Sequence, residues 1–551
     1  MVAASTARSR LRTNPLPLVC AVLAGSVALA VGLLTTPGGD APSHLFQTWL
    51  YSHGGFEVWN NYWYAGRYEF VNYSVFYYPL AAHLGQLGVL VPAAALIGAA
   101  FNLACGREWG RAARGPSIAF AVTAPLVMML GGVYPFMAGA ACGLTALALI
   151  GRGQRTAFAI AVFATLAFSP LSFAILCALL AGTLLGQAQP HLTLRRHWVA
   201  FAAVVAVFLT GVFMQRAFPS SGWYAYDLGD AAIVLVFSLA GLWVTGTSPR
   251  ARALRMLFAA YLALNLIAFL LEGPIGSNPT RLFAIAGAPM LWLAANLGPR
   301  RSRLVVFPLI AVCVAVQVGP QVRDAYSAWN NPAAEASYWR PAIQFLEQHS
   351  REVAGYRVEA VSTWGHWDAY YIAGQRVPLA RGWFRQEDFP QNSVLYDRNL
   401  TAEAYQGWLR SLGVRYVLLP DVPLDFSSTG EARLLRSGRS GLVVVRRTAH
   451  WTFYELPEAT PIVTAPPGLE GKLVTFGQQK VEIWTSAPGT YILRVRYSPY
   501  WRAVPSWTCV SEAPGGMTAI TVPTRGYVAL DIEPDPGSMA ANTVSSAAHT
   551  C

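Results

Sequence analysis

Apolar residues along the first 320 positions come in long unbroken blocks rather than in alternation. Eleven blocks, at 16–36, 84–104, 117–132, 134–151, 156–169, 171–188, 198–215, 231–247, 256–271, 282–298 and 303–319, are bilayer-length or paired around a break. They predict a polytopic α-helical membrane domain of about 11 spans over 16–320. Two divisions rest on helix breakers: GGVYP at Gly131 to Pro135, and the Ser169–Pro170 step. Between the first two blocks, residues 37–83 form an outer loop dense in Trp and Tyr.

After Val318 the pattern changes to mixed charge punctuated by turns. Over 338–422, YRVEAVST alternates as a strand, AEAYQGWLRSLG reads as a helix closed by Gly413, and VRYVLLP reads as a buried strand, giving an α/β unit. Over 440–536, SGLVVVRR, HWTFYELP, KLVTFGQQKVEIWTS, GTYILRVRYSPYW, GMTAITVP and GYVALDIEP are short runs divided by Gly and Pro, which predicts a β-sandwich. The Ser- and Ala-rich tail 537–551 reads as flexible.

Composition agrees: 54% of residues are hydrophobic and 12% charged, too apolar for an ordinary soluble enzyme. The whole net charge of +12 sits before residue 330, where 20 Arg face 8 acids; the remainder carries 20 basic and 20 acidic residues. Sixteen Arg fall in the basic N-terminus 1–15 and the loops on one side of the eleven-span arrangement, against Arg67, Arg216 and Arg281 on the other. By the positive-inside rule the N-terminus is cytoplasmic and the polar C-terminal domain extracytoplasmic in a bacterial plasma membrane, with an uncleaved first span. This charge asymmetry accounts for the basic balance without a nucleic-acid partner. The seven cysteines form no CxxC or Cys/His cluster, so a thiolate metal site is not expected; Cys509 and Cys551, the only pair in the polar half, are candidates for a disulfide.

No Asp, Glu, Lys or Arg falls inside the apolar cores, which removes the usual mark of an ion pathway. The candidate groups collect at the outer boundary. Asp40 follows the first span and either acts as a general base on a hydroxyl or binds a metal ion, or else caps the helix that follows it. His44, one turn on, either shares a proton or a metal with Asp40 or is a satisfied interfacial histidine. Trp59, Tyr62, Trp63, Tyr64, Tyr68, Tyr73, Tyr77 and Tyr78 form either an interfacial belt or platforms for sugar rings, with Asn60, Asn61 and Asn72 as hydrogen-bonding partners. Arg281, placed against the positive-inside trend, either pairs with a lipid phosphate or forms a salt bridge to Glu272. In the polar domain, His366, Trp367, Asp368, Arg381 and Trp383 are rich enough in polar and aromatic groups to line a binding surface, or are packed core and turn residues.

The stretches GGDAPSHLF, YSVFYYPLAA, NPTRLFAIAGAPMLWLAA, WLRSLGVRYVLLP and YSPYWRAV resemble the GT-C superfamily of membrane glycosyltransferases, and more narrowly YfhO-like proteins and membrane proteins labelled as related to 6-pyruvoyl-tetrahydropterin synthase, a label that implies no pterin chemistry. The resemblance implies inverting transfer of a sugar from a polyprenyl-phosphate donor to an envelope glycan, lipid or protein acceptor at the outer face. Carried over by position, Asp40 matches the acid that activates the acceptor, and Arg281, with Arg67 as a second candidate, matches the basic residue that holds the donor phosphate. Glu57, Glu69 and Asp227 are candidates for a second acid. His44, Trp59, Asn61, Trp63, Tyr64, Tyr77 and Tyr78 are candidates for sugar or acceptor binding. Relatives with paired acids bind a divalent metal, Mg or Mn; Ala41 after Asp40 breaks that pairing and leaves the metal an open expectation. The alternative is a non-enzymatic membrane protein, either a lipid-linked sugar flippase or a cell-envelope assembly factor.

Overall fold

The computed structural model describes residues 14–70, 73–150, 152–186, 194–219, 222–271 and 273–544. Helices occupy all eleven apolar blocks: α1 (Leu16–Leu34), then, after the amphipathic α2 (Ala41–Gly54), α3 (Tyr77–Trp109), α4 (Arg114–Gly131), α5 (Tyr134–Ile150), α6 (Arg155–Phe168), α7 (Pro170–Gly186), α8 (Leu194–Ala217), α9 (Leu228–Thr245), α10 (Arg252–Leu270), α11 (Arg281–Leu297) and α12 (Arg300–Trp329). Among the described residues, seven helical stretches are long and apolar enough to cross a membrane, while α5, α6 and α7 are shorter apolar helices. Both breakers act as the sequence predicts, since α4 stops at Gly131 before α5 starts at Tyr134, and α6 and α7 meet at Ser169 and Pro170. Outward-facing Leu, Val and Phe on α1, α8, α9 and α12 are exposed, as lipid-facing residues are.

The polar half contributes most of the strands: β1 (Trp59–Asn60) and β2 (Arg67–Tyr68) in the first loop, then β3 (Arg357–Ala360), β4 (Val414–Pro420), β5 (Val443–Arg447), β6 (Trp451–Glu455), β7 (Val463–Thr464), β8 (Gly471–Phe476), β9 (Val481–Thr485), β10 (Gly489–Arg496), β11 (Trp501–Val504), β12 (Cys509–Ala513), β13 (Met517–Val522) and β14 (Gly526–Ile532). Helix Ala402–Leu412 ends on Gly413 at φ 76°, a left-handed position that glycine adopts without steric cost. Two four-stranded sheets, β12-β13-β10-β7 and β11-β14-β9-β8, form the sandwich.

Two expectations are corrected. The hairpin β5–β6 does not open the sandwich; it joins the parallel pair β3–β4 in a mixed sheet of order β3-β4-β6-β5, because β6 pairs antiparallel with β4 from Tyr416–Glu455 to Pro420–Trp451. Alternation marks a strand but not its sheet. Nor is the whole tail flexible, since Pro536–Val544 is a helix. Asp535 caps it by accepting from the Gly537 and Ser538 amides at 2.9 and 3.0 Å, and Asn542 donates to the Ala217 carbonyl at the end of α8. Residues 545–551 lie outside the described residues.

Candidate active site

Two glycine pairs lock the first loop onto the helical domain. A Cβ on Gly38 would fall 1.6 Å from the Leu130 carbonyl oxygen, and one on Gly132, at φ 69°, would fall 2.6 Å from the Ala41 amide nitrogen. Backbone therefore packs directly on backbone, and the Asp40 amide donates to the Gly131 carbonyl at 3.3 Å. The interruption after α4 is thus the seat of the Asp40 turn.

Asp40 occupies the position before α2, yet its side chain makes no capping bond. Its Oδ2 instead lies 2.8 Å from Arg281 Nη2, across 241 residues. The capping reading is overturned: the carboxylate points to the N-terminus of α11. Both side chains are about a quarter exposed, at 26% and 22%. The Arg281 guanidinium also lies 5.6 Å over the Phe136 ring at the start of α5. Its partner is Asp40; Glu272 lies outside the described residues.

His44 is fully buried, its ring 5.3 to 6.2 Å from those of Tyr73, Tyr77, Tyr78 and Tyr134. Its Nδ1 is hydrogen-bonded to the Tyr78 hydroxyl at 3.2 Å, while Nε2 is buried without a partner. Burial, reinforced by the Arg281 charge, pushes the imidazole down to about 3, so it is neutral at physiological pH. Burial likewise raises the Tyr73 hydroxyl to about 12 against the nearby Arg281 charge.

A roof from the polar domain covers the turn. Trp383 Nε1 donates to the Gly39 carbonyl at 2.9 Å. The indole stacks on His366 at 3.4 Å between centroids, while the Arg385 guanidinium lies 4.8 Å from its ring centroid. Asp425 Oδ2 binds both, at 3.3 Å to His366 Nε2 and 2.8 Å to Arg385 Nη2. Burial pushes that carboxyl up, but the hydrogen bond and charge of His366, then those of Arg385, outweigh it and hold it far below the ordinary carboxylate range.

A cavity of about 990 Å³ runs through the helical domain. Along α5 it is lined by Phe136, Ala140, Gly143, Leu144, Leu147 and Ile150, one helical face about 21 Å long at 1.5 Å per residue. At one end Phe136 and Leu282 adjoin Arg281; at the other, Arg107, Arg152 and Arg155 form the rim.

Several sequence candidates have other occupations, and each is a correction. Arg67 is buried, with Nη1 2.7 Å from Glu69 Oε1, Nε 3.3 Å from Glu387 Oε1 and its guanidinium over Phe384. It has no face for a lipid phosphate, and Glu69, also bonded by Asn60, is its counter-ion rather than a second acid at Asp40. Glu57 faces the sandwich, near Asp531 and Lys480. Asp227 caps α9 through the Gly229 and Asp230 amides. Trp59 packs against Tyr68 and Trp501 and donates to Asn61, whose own amide reaches the Gly477 carbonyl. Trp63 stacks on Phe46 and donates to Ala369, and Tyr64 exchanges hydrogen bonds with Phe384. These aromatics are neither belt nor open platform; they are the buried seam between the first loop and the polar domain. Tyr77 donates to Gln86 and edges the His44 cluster, and Tyr78 holds His44 itself. Asn72 lies outside the described residues.

In the polar domain, Arg381 is consumed by a bidentate pair with Asp388 and by Ser427, Ser428 and Glu431. Trp367 is core, and Asp368 accepts from the Thr363 amide and hydroxyl. Only His366 and Trp383 of that group reach the roof. Sequence reasoning missed Phe136, Arg385 and Asp425; the adjacency of Arg385 to Trp383 and the aromatic start of α5 were the available signals. Cys509 is disulfide-bonded, while Cys551 lies outside the described residues. Among the described residues no three His, Cys, Asp or Glu side chains converge as a metal site, and Asp40, a single carboxylate paired with a guanidinium, does not fit a divalent cation.

No family model and no curated protein sequence matches the chain. Among solved structures, it is similar to the Archaeoglobus fulgidus oligosaccharyltransferase tethered to an acceptor peptide containing the NVT sequon, with 12% identity, a TM-score of 0.37, and coverage of 74% of this chain and 69% of that one. A second structure, archaeal oligosaccharyltransferase AglB from the same organism with an inhibitory peptide and a dolichol-phosphate, matches with the same TM-score and identity over 73% and 69%. Likeness of that degree assigns neither a fold family nor an activity.

Proposed function

We propose that the protein is a GT-C-type membrane glycosyltransferase that moves a sugar from a polyprenyl-phosphate donor to an acceptor at the extracytoplasmic face, with inversion. The observation that carries this reading is the Asp40–Arg281 pair, brought together from distant segments with the Arg281 guanidinium over Phe136, a residue that lines a long apolar cavity. An acid and a guanidinium held side by side suit a reaction that needs a base for the acceptor and a cation for the departing phosphate. The cavity suits an isoprenoid tail, since its wall is mainly Leu, Ile, Phe and Ala.

In the free enzyme the two charges neutralise each other. Donor phosphate draws the Arg281 guanidinium into a charge-assisted contact and releases the Asp40 carboxylate. Asp40 then takes the acceptor hydroxyl proton as the acceptor oxygen bonds to the anomeric carbon. The bond from that carbon to the phosphate oxygen breaks, and the phosphate leaves with the electron pair, held by Arg281. No step is routed through a metal.

The test is transfer from radiolabelled polyprenyl-phosphate sugars to envelope glycan by the purified protein. Asp40→Asn should lower product formation about 10²- to 10⁴-fold, the range expected for loss of a general base. Equal product from wild type and Asp40→Asn removes the assignment. Translocation of labelled lipid without product favours a flippase, although a mainly apolar wall offers a sugar headgroup little hydration.

A further inference from the structure

The polar domain holds a concentration of positive charge away from Asp40. Strand β10 alternates cleanly: Tyr491, Leu493 and Val495 enter the sandwich core, while Ile492, Arg494 and Arg496 face a separate cavity of about 570 Å³. Trp408 and Ser411 of helix Ala402–Leu412, together with Gln391, complete its wall. Among the described residues, the hydrogen bonds of both arginines run to neutral acceptors. Arg494 donates to the Pro461 carbonyl and the Thr464 hydroxyl, and Arg496 to the Tyr64 and Gly515 carbonyls and to Gln391.

A third guanidinium stands behind this wall. Arg357 is wholly buried, and its Nη1 donates to the carbonyl of Leu412, a cavity-lining residue. Among the described residues its Nε and Nη2 have no hydrogen-bond partner, and the guanidinium lies 5.7 Å over the Phe476 ring. Burial and the charges of Arg496 and Arg494 push Arg357 down to about 9. The carboxylate whose charge acts on Arg496, Glu387, is shared with Arg67, whose Nε lies 3.3 Å from it. Three arginines held together against neutral acceptors are costly unless an anion completes them.

We propose that this cavity binds an oxyanion-bearing carbohydrate, with its carboxylate or phosphate on Arg494 and Arg496 and its ring against Trp408. Guanidinium forks match such groups bidentately, and Gln391 and Ser411 suit sugar hydroxyls. The site is independent of the transferase reading, because binding requires no donor.

The probes are glucuronate, glucose 1-phosphate and glucose, titrated calorimetrically into the full-length protein in lipid nanodiscs at low salt. Saturable binding of glucuronate or glucose 1-phosphate without binding of glucose is expected, and the tighter of the two identifies carboxylate or phosphate as the source. Arg494→Gln and Arg496→Gln should each weaken it about tenfold or more while leaving the melting temperature of the ligand-free protein unchanged or higher. If either variant fails to fold, the wild-type melting temperature decides: it should rise with the anionic sugars and not with glucose or chloride. Equal behaviour of glucose and the anionic sugars, or wild-type affinity in both variants, overturns the proposal.

Discussion

The Trp383 indole nitrogen and the Gly39 carbonyl, 344 residues apart, are joined at 2.9 Å, and this bond fastens the polar domain to the residue next to Asp40. The ring has little freedom of its own, because His366 lies flat on one side and Arg385 sits over it. Trp383→Phe should keep the stack and lose only the donor. A neutral hydrogen bond contributes about 1 kcal/mol, so the melting temperature should change little. Transfer activity should fall several-fold through kcat, as the Asp40 turn loosens, with donor KM nearly unchanged. An equal loss in kcat and in stability would make the bond merely structural.

The Asp40–Arg281 pair should behave oppositely in stability and in activity. With both side chains partly exposed, the ion pair is worth roughly 0–1 kcal/mol after solvent screening. Arg281→Gln should therefore melt near the wild-type temperature yet lose donor affinity and turnover. Exchanging the two charges, Asp40→Arg with Arg281→Asp, should preserve the fold and abolish transfer, which a purely structural salt bridge would not require.

Arg67 should show the reverse profile. Its removal leaves Glu69 buried without its guanidinium and takes a cation from the buried Glu387, a loss of about 3–5 kcal/mol. Arg67→Met should lower the melting temperature sharply, and Glu69→Gln added to it should recover part of the loss. A folded Arg67→Met protein of normal stability with raised donor KM would return Arg67 to the phosphate site.

Glu57 should make stability depend on pH. Burial first, then Asp531, raise its carboxyl to about 7 against the opposing charge of Lys480. The folded protein therefore binds this proton more tightly than the unfolded chain, whose value is about 4.5. Stability falls as pH rises from about 4.5 to about 7 and is level outside that window. Glu57→Gln should melt like wild type at pH 4 and higher than wild type at pH 8. An unchanged difference at the two pH values would show that the carboxyl titrates normally.

The first loop shows where sequence legibility ended. The eight Trp and Tyr from Trp59 to Tyr78 suggest membrane or sugar contact because amphipathic rings serve both. Trp59, Trp63 and Tyr64 instead fill a protein–protein seam with Trp501, Phe46 and Phe384, residues remote in the chain or on another element. Periodicity can show that a ring will be buried but not which surface buries it. Asp40 was ambiguous for a related reason: a carboxylate before a helix has a local partner in the free amides, and only the arrival of α11 offers a better one.

The sequence by itself determined what depends on neighbours along the chain. Length and apolarity set eleven helices, the breakers at Gly131 and Ser169–Pro170 divided them, Gly413 closed its helix, and alternation marked the sandwich strands. Only the tertiary structure decided what depends on approach between distant segments. That includes the Asp40–Arg281 pair, the absorption of Arg67 by Glu69 and Glu387, the assignment of β5–β6 to the sheet of β3 and β4, and the gathering of Arg357, Arg494 and Arg496. Charges and rings are satisfied by whichever partner packing delivers, and packing is a property of the whole chain.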